Sequence, residues 1–163
     1  SEKLHQDIID KSGETATFSM GFTYSGHPVA MAAALKNIEI MERDDIMGHV
    51  RTTGVHFQER LNSLADLPMV GDTRGVGLMG CLECVESKTT KKSFDENLKI
   101  GSRIDKKCQD KGLILRPMWS MCVFSPPLII TEDQVDDMFG IMETAIKDTA
   151  DDLVREGAWN GKD

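Results

Sequence analysis

Positive charge is in short supply in this 163-residue chain: 27 Asp and Glu stand against 19 Lys and Arg, a formal net charge of −8. That deficit argues against nucleic acid or an anionic membrane surface as a partner, since both select clustered cations. Long apolar runs are lacking too. No stretch reaches the roughly 18 apolar residues of a membrane-spanning helix, and no signal-peptide pattern follows Ser1. Cysteine is sparse. Cys81, Cys84, Cys108 and Cys122 make no dense disulfide framework and read as reduced thiols of a cytoplasmic protein. Internal repeats and low-complexity segments are missing as well. What is there, 40% hydrophobic and 28% charged residues, suffices for a globular domain with a core.

The spacing of apolar residues predicts the organisation. Leu4 and Ile8 share a face of a short helix over residues 3–9, and the polar stretch 10–19 with Gly13 reads as a loop. Pro28 suits the first turn of a helix running to about Arg43, rich in small residues. Asp44-Asp45 interrupts. A second helix then carries the stripe Ile46, Val50, Phe57, Leu61 and Leu64. Residues 70–85 read as one strand with a glycine-rich approach. Ser93 to Glu96 has the capping-box pattern and predicts a helix through Ile104 and Cys108 to Gly112. Leu113-Ile114-Leu115 and residues 121–124 read as a hairpin pair joined by Arg116 to Ser120, and Leu128-Ile129-Ile130 as a further extended piece. A second capping box at Thr131 opens a last helix burying Val135, Met138, Met142, Ala145, Ile146 and Leu153, with a frayed tail from Gly157. The fold class is α/β, a small and mostly antiparallel sheet covered by helices.

Two places could carry chemistry. Phe22-Thr23-Tyr24-Ser25-Gly26-His27-Pro28 puts a hydroxyl and free backbone N–H groups just before a helix N-terminus, a ready site for an anion. A capped turn formed for local reasons is the simpler alternative. Arg116, next to Pro117, could clamp a carboxylate through two parallel N–H donors, or be an ordinary surface arginine. Arg74, between Thr73 and Gly75, reads as part of a tight chain reversal, and His27 as a capping or packing residue. Cys81 and Cys84 fall inside a strand pattern, where i and i+3 point to opposite faces, so no metal site is expected.

The run Thr23-Tyr24-Ser25-Gly26-His27-Pro28 closely resembles the signature of class III aminotransferases of the omega-amino acid:pyruvate type. The helix residues 38–43 and the blocks 70–79, 112–117 and 124–131 resemble the same family in the same order. The resemblance covers nearly all of residues 22–142 and departs at Trp119-Ser120, where many relatives carry Gly-Asp. It implies pyridoxal 5'-phosphate as cofactor and a primary amine or omega-amino acid plus a keto acid, pyruvate above all, as substrates. It further implies a homodimer in which Thr23, joined by the Phe22 N–H, holds the cofactor phosphate of the partner's site. Arg116 is then the substrate-carboxylate clamp. The lysine that holds the cofactor covalently lies further before Thr23 than this chain reaches, and neither Lys3 nor Lys11 matches it. No catalytic residue is therefore expected here. Residues 1–40 would be the end of the large domain of a fold-type I enzyme and residues 41–163 its small C-terminal domain, a fragment inactive alone. A stand-alone binding module that reuses this fold is the alternative.

Overall fold

A computed structural model describes residues 2–12 and 21–161. The chain divides into two units, Ser1–Ile40 and Met41–Asp163. The first contains helix α1 (Glu2–Ser12) and most of α2 (Pro28–Arg43). The expected loop over 10–19 thus gives its first three residues to α1, and its remainder lies outside the described residues. Pro28 opens α2, and no residue of that helix is buried.

In the second unit, Asp45 starts α3 (Ile46–Ser63) from the left-handed region, φ 42°, and its carboxylate accepts the Gly48 N–H at 3.1 Å. A single 3-10 turn over Leu64–Asp66 follows. The glycine-rich stretch is then not an approach to one strand but two strands, β1 (Val70–Val76) and β2 (Met79–Cys84), reversing at Gly77 with φ 56°. β1 escaped the sequence pattern because most of it is exposed, so its side chains need not alternate.

The expected helix from Ser93 also changes. Phe94 is buried, so the chain enters the core there instead of coiling. Asp95 caps a 3-10 turn over Glu96–Leu98, and Lys99 at φ 49° separates it from α4 (Ile100–Gln109). Gly112, at φ 89°, ends α4 with its N–H on Gln109 O and the Leu113 N–H on Cys108 O. That capture keeps Leu113–Leu115 out of the sheet. The hairpin is formed instead by β3 (Arg116–Met118) and β4 (Met121–Phe124), which brings Arg116 from the predicted loop into a strand. Leu128 and Ile129 likewise form a turn rather than an extended piece, closed by Ile130 N–H to Pro127 O at 3.0 Å.

The sheet order is β1-β2-β4-β3, antiparallel throughout. One face buries Leu82, Cys84, Cys122 and Phe124. Against it lie α3, α4 and α5 (Glu132–Arg155), whose Thr131 capping box forms in full. All six residues expected to be buried on α5 are buried. Phe57, Phe124 and Phe139 meet at the centre, with ring centroids 5.1 Å apart for Phe57 and Phe139 and 5.3 Å for Phe124 and Phe139. The tail is not frayed at Gly157. Trp159 is buried edge-on to Phe94, and its indole N–H donates to Glu86 O at 2.8 Å.

Candidate functional site

Residues 21–27 wind into two consecutive turns before α2. The Ser25 N–H donates to Phe22 O at 2.9 Å and the His27 N–H to Tyr24 O at 3.1 Å, with Gly26 at φ 77°. His27 closes the helix with its carbonyl, which accepts the Met31 N–H at 3.0 Å, while its ring meets Tyr24 edge-on. Thr23 is exposed, and its hydroxyl makes no hydrogen bond among the described residues. The Phe22 N–H is engaged, donating to Ser25 Oγ at 2.8 Å. That serine hydroxyl accepts there and keeps its own proton for an outside acceptor. Sequence reasoning missed Ser25; the signal was a serine three residues after the N–H it caps. Pro28 has no N–H and Met31 gives its own to His27 O, so the amides of Val29 and Ala30 are the first-turn donors of α2 that remain, at the positive end of the helix dipole. The donors on offer, Thr23 Oγ1, Ser25 Oγ and helix-start N–H groups, are neutral and suit a phosphate monoester.

Arg116 lies in the other unit, first in β3, an edge strand. The register aligns it with Val123, Val123 with Cys81 and Cys81 with Arg74, a row across the face of the sheet that is not buried. Every other arginine of the chain pairs with a carboxylate: Arg43, Arg51, Arg60, Arg74, Arg103 and Arg155. Alone among the arginines, Arg116 makes no side-chain ion pair or hydrogen bond with the described residues, and it is exposed. Arg74, at the far end of the row, hydrogen-bonds Asp72 and Glu83, which raise its pKa further above its ordinary value. It sits within β1 and not at a chain reversal, so its structural reading holds through this pairing.

The segment around Arg116 is tied to α4. The Leu115 N–H donates to Asp105 Oδ1 at 3.2 Å, and Gln109 Nε2 donates to Asp105 Oδ2 at 2.7 Å. One helical turn earlier, the Gly101 N–H donates to Trp119 O at 2.9 Å. A Cβ on Gly101 would stand 2.7 Å from that same oxygen, so only glycine lets the hairpin come this close. Trp119 makes the hairpin turn at φ 53°, where glycine would be unstrained. A groove of about 720 Å³, lined by Leu113, Phe124, Pro126, Ile130, Met138 and neighbours, holds no cationic side chain and so offers a carboxylate no ion pair.

Cys81 and Cys84 point to opposite faces: Cys81 is half-buried, Cys84 fully buried, and both are free thiols. Burial pushes the Cys84 thiol up to about 12 and raises Cys81 also, though Arg74 opposes the latter. Among the described residues no cluster of His, Cys, Asp or Glu could hold a metal ion.

The family profile "Aminotransferase class-III" matches residues 6–146. The uncharacterized aminotransferase y4uB of Sinorhizobium fredii is 42% identical over 159 residues, 96% of this chain and 34% of that one. The putrescine–pyruvate aminotransferase of Pseudomonas aeruginosa is 36% identical over 148 residues, 90% of this chain and 32% of that one. A PLP-bound aminotransferase mutant from Vibrio fluvialis superposes with a TM-score of 0.81 at 38% identity, over 94% of this chain and 33% of that one. The chain thus spans about a third of the length of the curated relatives it matches.

Proposed function

The chain belongs to the class-III aminotransferase family, and on that footing we propose that it is part of an enzyme moving an amino group from a primary amine or omega-amino acid to a keto acid. The acceptor in this reading is pyruvate, which the name of the Pseudomonas relative supports. Residues 1–40 are assigned to the end of the cofactor-binding domain and residues 41–163 to the small domain. The observation that carries the reading is Arg116, an exposed guanidinium on the open sheet face that alone among the arginines has no carboxylate partner among the described residues. A free, planar fork of donors matches a substrate carboxylate and holds it in one orientation.

Pyridoxal 5'-phosphate, when bound, supplies the electron sink that lets the amine carbon exchange a proton. This chain's contribution is to hold and orient. Thr23 Oγ1 donates to the cofactor phosphate, and Ser25, which accepts from the Phe22 N–H, donates beside it. In a homodimer Thr23 does so for the partner's site. The dipole of α2 adds attraction without a mobile cation near the reacting ring. Neither Lys3 nor Lys11 stands in the motif context of the cofactor lysine, so these residues alone are assigned no turnover. The four free cysteines support a cytoplasmic location.

The test is Arg116→Ala in the complete polypeptide that carries these residues. A charge-assisted bidentate contact is worth about 2 kcal/mol, so the KM for pyruvate should rise roughly thirty-fold. The KM for an amine without a carboxylate should change less than about two-fold. Equal rises for both substrates would overturn the clamp.

A further inference from the structure

A clamp built on Arg116 has a weakness. β3 is three residues long, lies at the sheet edge and pairs only with β4. Its middle residue, Pro117, has no N–H to give to a ladder. Such a strand fixes its own position poorly, yet a two-point grip on a carboxylate tolerates about 0.5 Å of error. Something else must hold it.

We propose that α4 is the mount for the carboxylate clamp and that Asp105 is a positioning residue for Arg116. The inference rests on the proposed role of Arg116. The Asp105 carboxylate accepts the N–H of Leu115, the residue immediately before Arg116. Gln109, one turn on, steadies the other oxygen of the same carboxylate. Gly101, one turn back along the same helix face, gives its N–H to Trp119 O on the far side of the strand. Arg116 is thus bracketed: α4 grips the backbone one residue before it and three residues after it. The zero clearance at Gly101 removes any slack in the second grip. Asp105 touches no substrate. It acts through the backbone that carries the guanidinium, and it aims that group outward by occupying the N–H that would otherwise let the 113–115 segment drift.

The experiment compares Asp105→Ala, Asp105→Asn, Arg116→Ala and the double variant D105A/R116A, in the complete polypeptide with its cofactor. Asn keeps an oxygen for the Leu115 N–H, and Gln109 can turn its amide to match. The alanine variant should raise the KM for pyruvate about ten-fold, leave the KM for a carboxylate-free amine within two-fold, and leave kcat near the parent value. The asparagine variant should restore the pyruvate KM. The double variant should be no worse than Arg116→Ala, since both changes act on one grip. Amide hydrogen exchange gives a second readout: the Leu115 N–H should lose protection in D105A and keep it in D105N. If Arg116→Ala raises the pyruvate KM and Asp105→Ala does not, the positioning role is overturned and the clamp stands. If Asp105→Ala affects both substrates equally, Asp105 is structural only and the inference fails. If Arg116→Ala itself does nothing, the clamp and the inference fall together. Should D105A not fold, Gln109→Ala carries the test: a two- to five-fold rise in the pyruvate KM alone supports the mount, and no rise overturns it.

Discussion

The helix before Arg43 and the helices after it are stable for different reasons. α2 buries none of its side chains; Val29 is 72% and Leu35 68% exposed. It is helical because Pro28 presets the first turn and a run of alanines follows, which is propensity and little else. α5 buries nine residues along one face, Phe139 and Met142 among them, and its capping box only trims the end. One region obeys local rules, and the other is held by what it packs against. The difference teaches where this chain tolerates rule-breaking. Trp119 sits at φ 53° inside the packed unit, a conformation that side-chain sterics resist, and it persists because α4 holds its carbonyl.

The largest test of this contrast is a matched pair. Phe139→Ala removes the ring at the centre of the aromatic cluster and should cost about 3–5 kcal/mol in urea unfolding. Leu35→Ala should change stability by less than about 0.5 kcal/mol, because there is no burial to lose. A comparable loss from both would break the distinction. Alkali offers the next test. Folding holds the buried Cys84 thiol protonated up to about 12, whereas the unfolded thiol ionises near 9. The folded state therefore binds the extra proton, and its contribution to stability is complete below pH 9 and is lost as pH rises toward 12. The share of the slope from this thiol is about 1.4 kcal/mol per pH unit, and Cys84→Ala should remove that share while leaving those of Cys108 and Cys122, which burial raises as well. Residues 1–40 hold no cysteine, so α2 amide exchange, corrected for its own base catalysis, should not follow this slope. The smallest effect is Trp119→Asn. Asparagine accepts the left-handed region more readily, and the exposed indole loses little burial, so stability should rise by about 0.5–1 kcal/mol. A loss would mean that the indole contributes packing of its own.

Much of this architecture was legible beforehand, and its gaps have physical causes. Pro28 and Thr131 announced their helices because start signals act over three or four residues. The apolar period of α5 named its buried face correctly, since a helix on a core must repeat near every 3.6 residues. β1 was misread because an exposed edge strand has no reason to alternate. Leu113–Leu115 was misplaced because its amides answer to Cys108 and Asp105, partners that no local pattern identifies. The site divided in the same way. The turn around Thr23 is contiguous and could be read directly. The isolation of Arg116 from every described carboxylate, and its tie to α4, are long-range facts that only the fold expresses.

The bond from Trp159 to Glu86 spans 73 positions. A growing polypeptide leaves the ribosome at roughly 5–20 residues per second, so Phe94 waits several seconds for the ring that completes its surroundings. Until residue 159 has been translated, the turn between Glu86 and Lys92 is held by its own hydrogen bonds and by Lys88 and Lys91 on the carbonyls of Ala65, Leu67 and Gly71, with Phe94 open to water on one side. In the cell this makes the surroundings of Phe94 a late-maturing patch, completed only when the C-terminal tryptophan arrives.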